Sequence, residues 1–166
     1  MTKDEFYMGK ALEEAKSAAA KGEVPIGAVI IYKKKTVAHA HNLRETMPSA
    51  TAHAELLAIE EACRVLGRWR LTGCTLYVTA EPCPMCAGAI VNSRLDRVVY
   101  GCADTKGGGC RSLFTIADDE RLNHRAAVTA GVRETECAAL LKNFFKPTSC
   151  RYAKTGSGII PDPVPI

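Results

Sequence analysis

The chain has 166 residues, 47% hydrophobic and 24% charged, with 22 basic against 18 acidic side chains and a formal charge of +4. That length predicts one domain with a proper core, and the composition excludes a fibre or a disordered polymer. The longest apolar run, "VPIGAVIIY" at 24–32, is too short for a bilayer, and so mild a charge does not by itself announce a nucleic-acid partner.

Met8, Ala11, Leu12, Ala15, Ala18 and Ala19 recur at helical spacing, which predicts an amphipathic helix over 4–20 ending near Gly22. The same stretch lacks the apolar core of a secretory signal, so a cytoplasmic protein without a membrane span is expected. "IGAVIIY" (26–32) reads as a buried strand, "KKK" at 33–35 as a solvated hairpin turn, and "TVAHAH" (36–41) as the returning strand. A helix is predicted from Thr51 to the Gly67 stop. "CTLYVT" (74–79) is a strand, "PMCAGAIVNS" (84–93) a helix and "DRVVYG" (96–101) a strand. A short strand near "AAVTAG" (126–131) and a helix at "ETECAALLKNFF" (134–145) complete residues 1–150 as one domain, while 151–166 reads as an extended or disordered tail. The order predicts an α/β protein: a mixed sheet with helices on both faces.

Cys83 and Cys86 stand in "EPCPMC", between a strand and a helix. With eight cysteines and no export signal, thiols, metal ligands or buried small hydrophobes are favoured over disulfides. On the pair alone, a thioredoxin-like redox couple and a metal site are equally good readings. His53 and Glu55, in "TAHAEL" at the head of the preceding helix, shift the balance. One imidazole and two thiolates suit zinc, and no fourth ligand stands at motif spacing, because His39 and His41 lie on a strand and His124 in a late polar loop. Three protein ligands mark a catalytic site, where the metal acidifies water and a carboxylate such as Glu55 takes and returns the proton. H-x-E followed by P-C-x-x-C is a known signature of zinc-dependent deaminases.

These motifs identify the chain as a member of the cytidine deaminase-like superfamily. Together with "EVPIGAVI", "HN", "TLYVTAEPCPMCAGAIVNSRLDRVVYG", "NHR" and "ECAALLKNFF", it resembles the bacterial tRNA-specific adenosine deaminases over residues 4–147. The resemblance implies a three-layer α/β/α fold with a mixed sheet of about five strands, one zinc ion per subunit, a homodimer, and hydrolysis of the wobble adenosine of a tRNA anticodon to inosine. It implies that His53, Cys83 and Cys86 hold the metal and that Glu55 shuttles protons. Asn42 and the backbone N–H of Ala54 would contact the flipped purine. Asp104 would lie near a ribose, and Asn123, His124, Arg125 and Phe145 would face the RNA of the anticodon arm. A deaminase of a free base or nucleoside, such as guanine, is the alternative within the superfamily. A zinc-stabilised RNA-binding module without catalysis is the rival from another class.

Residues 142–154 interleave Lys142, Lys146, Arg151 and Lys154 with Phe144, Phe145 and Tyr152, which fits phosphate and base contacts. One of the two phenylalanines is expected to pack inward. The small-residue helix 84–93 is the expected dimer face. "GGGCR" at 107–111 is expected to form a flexible loop beside the active site, Leu113 and Phe114 to enter the core, and Trp69 to cover an edge of the helix pair. Cys63, Cys74, Cys102 and Cys137 are expected to be buried hydrophobes.

Overall fold

A computed structural model describes residues 1–146. The expected tail at 151–166, and with it Arg151, Tyr152 and Lys154, lies outside the described residues. The elements are α1 (Lys3–Ala20), β1 (Gly27–Tyr32), β2 (Lys35–His41), α2 (Ala54–Leu66), β3 (Cys74–Ala80), α3 (Pro84–Asn92), β4 (Arg97–Cys102), β5 (Ala127–Thr129) and α4 (Glu134–Phe145).

Thr2 starts α1 with a capping box. Its hydroxyl accepts from the Glu5 N–H, and the Glu5 carboxylate accepts from the Thr2 N–H. The β1–β2 hairpin turns on two residues, Lys33 (φ 47°) and Lys34 (φ 65°), the left-handed pair of a type I′ turn, so Lys35 already belongs to the strand.

Five strands form one sheet in the order β2-β1-β3-β4-β5. β1 is antiparallel to both β2 and β3, whereas β3, β4 and β5 run parallel. Since β2 and β3 each oppose β1, they point the same way as each other and as β4. The chain therefore leaves β2, β3 and β4 at one edge of the sheet.

Side chains alternate across the strands. Ala28, Ile30, Leu76, Val78, Val98 and Tyr100 pack against Ala54, Ala58, Ile59 and Ala62 of α2 and Ala87 and Ile90 of α3. Val29, Ile31, Tyr77 and Val99 face Tyr7, Met8, Ala11 and Leu12 of α1 and Cys137 of α4. The architecture is the expected α/β/α sandwich, and coverage of both faces explains why β1 is apolar throughout. α1 lies so close that a Cβ on Gly27 would collide with the Ala11 carbonyl oxygen.

Two expectations, for the Leu113–Phe114 pair and for Cys63, fail for one reason: apolar character is not burial. Leu113 and Phe114 are 52% and 53% exposed, on the loop that follows β4, rather than in the core. Trp69 is 52% exposed, with the guanidinium groups of Arg70 (4.2 Å) and Arg94 (5.8 Å) over its ring. Cys63 is half-buried, while Cys74, Cys102 and Cys137 are buried as expected. Phe145 is exposed and Phe144 half-buried, their rings edge-on at 5.1 Å.

The start of α1 is tied to the sheet by charge. Arg97 grips both oxygens of Asp4 (2.9 and 2.7 Å), and the Tyr77 hydroxyl donates to the same carboxylate (2.8 Å). The Arg97 hydrogen bond holds the Asp4 carboxyl below its usual range. A depressed carboxyl stabilises the fold above its unfolded value, about pH 4, and that contribution fades as pH falls through the lower folded value. Asp4→Ala is therefore expected to cost about 1.5–3 kcal/mol in urea unfolding near neutral pH, with the gap to wild type closing toward about pH 2. A gap independent of pH would show that the ion pair is not its source.

Candidate active site

The parallel run of β2 and β3 sets the starts of α2 and α3 beside one another. His53 is the N-cap of α2 and Cys83 the N-cap of α3, both with extended backbone and neither using its side chain to cap its helix. α2 thus begins three residues later than Thr51, with the predicted ligand as its cap. Pro84 at the first position of α3 lacks the N–H that would otherwise go unpaired there. Cys86, three residues after Cys83, falls on the same side of the first turn.

His53 Nδ1 lies 3.7 Å from Cys83 Sγ and 3.5 Å from Cys86 Sγ. All three donor atoms lie within 4.8 Å of one another, and among the described residues no other group of this kind occurs. Bonds of about 2.3 Å to sulfur and about 2.0–2.1 Å to nitrogen at a tetrahedral angle put the two donors about 3.6 Å apart. The two observed separations bracket that value, so the set fits a tetrahedral metal ion. The other histidines are engaged elsewhere: His39 and His41 each meet Glu14 at 2.7 Å, and His124 Nε2 meets the Leu95 carbonyl at 2.7 Å.

The three donors share protons. The Cys86 thiol donates to Cys83 and draws the latter down to about 4, while Cys86 itself is raised by the same bond. His53 is raised by its bond to Cys83. Two helix N-termini add positive potential, which favours thiolate. Glu55 sits in the first turn of α2, buried, and burial pushes its carboxyl up to about 7.

A recess opens beside this group, lined by Ile26, Asn42, Arg44, His53, Ala54 and Glu55. Asn42, Ala54, His53 and Glu55 were expected at the site, and the fold brings them together. Ile26 and Arg44 were not foreseen. Asn42 is buried, its Oδ1 accepting from the Arg44 N–H (3.4 Å). Asp104, Asn123, His124, Arg125 and Phe145 do not line the recess. Asp104 Oδ1 holds its own turn through the Lys106 and Gly107 N–H groups (3.0 Å each). Asn123, Arg125 and Phe145 are exposed, and His124 is half-buried against Leu95.

Two buried glutamates escaped the sequence reading. Glu23 accepts from the N–H groups of Glu45 (2.8 Å) and Thr46 (3.5 Å), anchoring the segment that leads from Asn42 to His53. Glu81, two residues before Cys83, accepts from the loop after β4. Burial raises its carboxyl, but the Ser112 hydroxyl and the backbone donors outweigh that and hold it low. The loop 107–111 is therefore pinned, with Cys110 fully buried in the core, and is not the flexible loop expected. The one available signal for either glutamate was an acidic residue inside an otherwise apolar run, "GEVPIG" and "VTAEP".

The MafB19-like deaminase family model matches residues 2–148. A tRNA-specific adenosine deaminase of Bacillus subtilis (strain 168) is 56% identical over 146 residues, 88% of this chain and 91% of that protein. A chain solved in a study of A-to-I editing by tRNA:A34 deaminases at the wobble position of transfer RNA matches with a TM-score of 0.79 and 42% identity. The match covers 82% of this chain and 99% of that one. A guanine deaminase from Nitrosomonas europaea shares the fold, with a TM-score of 0.73 at 24% identity over 87% of this chain and 85% of that one.

Proposed function

The chain belongs to the family of tRNA-specific adenosine deaminases, and we propose that His53, Cys83 and Cys86 hold one zinc ion per subunit for hydrolysis of a wobble adenosine in a tRNA anticodon to inosine. The observation that carries this reading is the meeting of two helix N-termini. It sets an imidazole, two thiols and a buried carboxylate beside one recess. The chemistry that zinc supplies when bound there is an acidified water, a nucleophile at neutral pH.

The remaining work falls to the chain's own groups. Glu55 takes one proton from the water and gives it to N1 of the adenine, then takes the second and gives it to the amino group. A C6–O bond forms, the C6–N bond breaks, and ammonia leaves inosine behind. A carboxyl pushed up to about 7 is matched to proton carriage near neutral pH. Asn42 offers amide donors and an acceptor to the purine edge. The Ala54 N–H, in the first turn of α2, has no acceptor within the helix and serves the reacting edge.

The base must leave its stack to enter the recess, at a cost of a few kcal/mol that is smaller in a single-stranded loop. Asp104, Asn123, Arg125 and Phe145, outside the recess, are assigned to the flanking nucleotides, while His124 fixes its turn through Leu95. Residues 1–150 form the one zinc-dependent domain, which works in the cytoplasm on its tRNA substrate. Two copies form a homodimer through the outer face of α3. Met85 is exposed there, Gly88 and Ala89 are half-buried, and a Cβ on Gly88 would meet nothing within 4 Å. Among the described residues, no helix is long and apolar enough to cross a membrane.

Ammonia release from an anticodon stem-loop should exceed release from free adenosine, cytidine or guanine, and a higher kcat/KM on guanine would overturn the tRNA reading. Glu55→Ala should keep one zinc per chain by elemental analysis and keep RNA affinity, yet lose deamination by about 10²- to 10⁴-fold. Unchanged turnover would remove Glu55 from its role. Light scattering at micromolar concentration should give twice the monomer mass, and a monomer would refute the α3 interface.

A further inference from the structure

Glu81 is 3% exposed, and among the described residues its carboxylate forms no ion pair. Five donors converge on it instead. Oε1 accepts from the N–H groups of Cys110 (3.2 Å), Arg111 (2.7 Å) and Ser112 (2.8 Å), and Oε2 from the Asp104 N–H (3.0 Å) and the Ser112 hydroxyl. A carboxylate has about four lone-pair sites, so this one is saturated. Four of the donors are backbone groups of one loop, 104–112, which contains no helix or strand. Both ends of that loop are thereby fastened to a single side chain just past the end of β3, two residues before Cys83.

The loop also touches the ligand turn directly. The Gly109 N–H donates to the Pro82 carbonyl (2.7 Å), and a Cβ on Gly109 would stand 2.9 Å from the carbonyl carbon of Cys83 and the nitrogen of Pro84. A Cβ on Gly108 would collide with the Glu81 carboxyl itself. The loop therefore lies flat on Glu81-Pro82-Cys83-Pro84. That contact allows no play, because both sides are backbone.

We propose that Glu81 is a positioning residue for the deaminase reaction: it seats the loop 104–112 against the Cys83 turn, fixing the aim of that ligand and the placement of Asp104 together. The role presupposes the function proposed above. Glu81 meets neither substrate nor water in it and carries no proton. Outer groups that orient metal ligands typically change metal affinity or activity by about 10- to 100-fold when altered. Glu81→Gln replaces one acceptor oxygen by a donor that points at N–H groups, so part of the loop must lift.

The test uses full-length, zinc-loaded protein, with Glu81→Gln and the milder Ser112→Ala, which removes one donor and leaves the fold intact. Three readouts are taken well below the melting temperature: amide exchange, the rate of zinc loss to a chelator, and kcat/KM on an anticodon stem-loop. Glu81→Gln should lose exchange protection at Asp104, Cys110, Arg111 and Ser112 but not in the sheet. It should also release zinc faster and drop kcat/KM by about 10- to 100-fold. Ser112→Ala should show the same pattern, weaker, and stands alone should Glu81→Gln fail to fold. Wild-type zinc retention and kcat/KM in Ser112→Ala, or lower thermal stability as the sole change in either variant, would overturn the proposal. A wild-type protein inactive on the stem-loop would instead sink the function itself, and the exchange and zinc-loss arms would still decide the role of Glu81.

Discussion

Two helix N-termini have to meet at one edge of the sheet, and the chemistry assigned to this protein depends on that meeting. The cause is topological. β2 and β3 both oppose β1, so they share a direction, and the helices that follow them start side by side. β4 runs parallel to β3 and delivers its outgoing loop to the same edge. Ligand sites in α/β sheets gather beyond the carboxyl ends of strands because that is where helix N-termini and connecting loops accumulate. Here the edge collects His53, Cys83 and Cys86, with Glu55 on the first turn of α2 and Glu81 at the end of β3.

Helix starts are also where unpaired N–H groups and positive potential are found. An N-cap residue normally uses its side chain to satisfy those donors. His53 and Cys83 occupy the two N-cap positions without doing so. Their side chains are released to face one another across 3.7 Å, and the helix dipoles stabilise the thiolate a metal requires. The same two positions thus forgo a cap and leave two side chains free for the proposed metal. Burial of the surrounding alanines, among them Ala54, Ala58 and Ala87, lets the helices sit close enough on the sheet for this to happen.

Most of the frame was legible in the sequence because it is written in local periodicity. The α1 helix, the apolar β1 and the two Cys83-to-Cys86 and His53-to-Glu55 spacings are all short-range patterns. What sequence could not give depends on residues far apart. Glu23 finds its donors 22 and 23 residues later, and Glu81 finds its donors 23 to 31 residues later. Neither partnership leaves a spacing that could be read, because backbone N–H groups carry no residue identity. Leu113 and Phe114 were misplaced for a related reason. Their apolar character was visible, but the anchoring of the preceding segment to Glu81, which turns them outward, was not. Asn42 and Ala54 entered through family likeness, and their convergence on the recess comes from the hairpin and the Glu23-anchored segment between them.

Glu55 and Glu81 are both buried carboxylates two residues from a proposed metal ligand, and environment alone separates their work. Glu81 is saturated by donors, so ionisation costs little and its carboxyl is held low. A proton could reach it only by displacing a loop. Glu55 has burial as its dominant influence, its carboxyl is pushed up to about 7, and it borders the recess. A group poised between its two forms and open to substrate can carry protons, and a group locked in one form by four backbone N–H groups can only hold geometry. The division also fits their places in the fold, the stiff carboxylate just past a strand end and the reactive one on a helix start. The strand end fixes the loop that must not move, and the helix start places a proton carrier beside the imidazole whose position that helix sets.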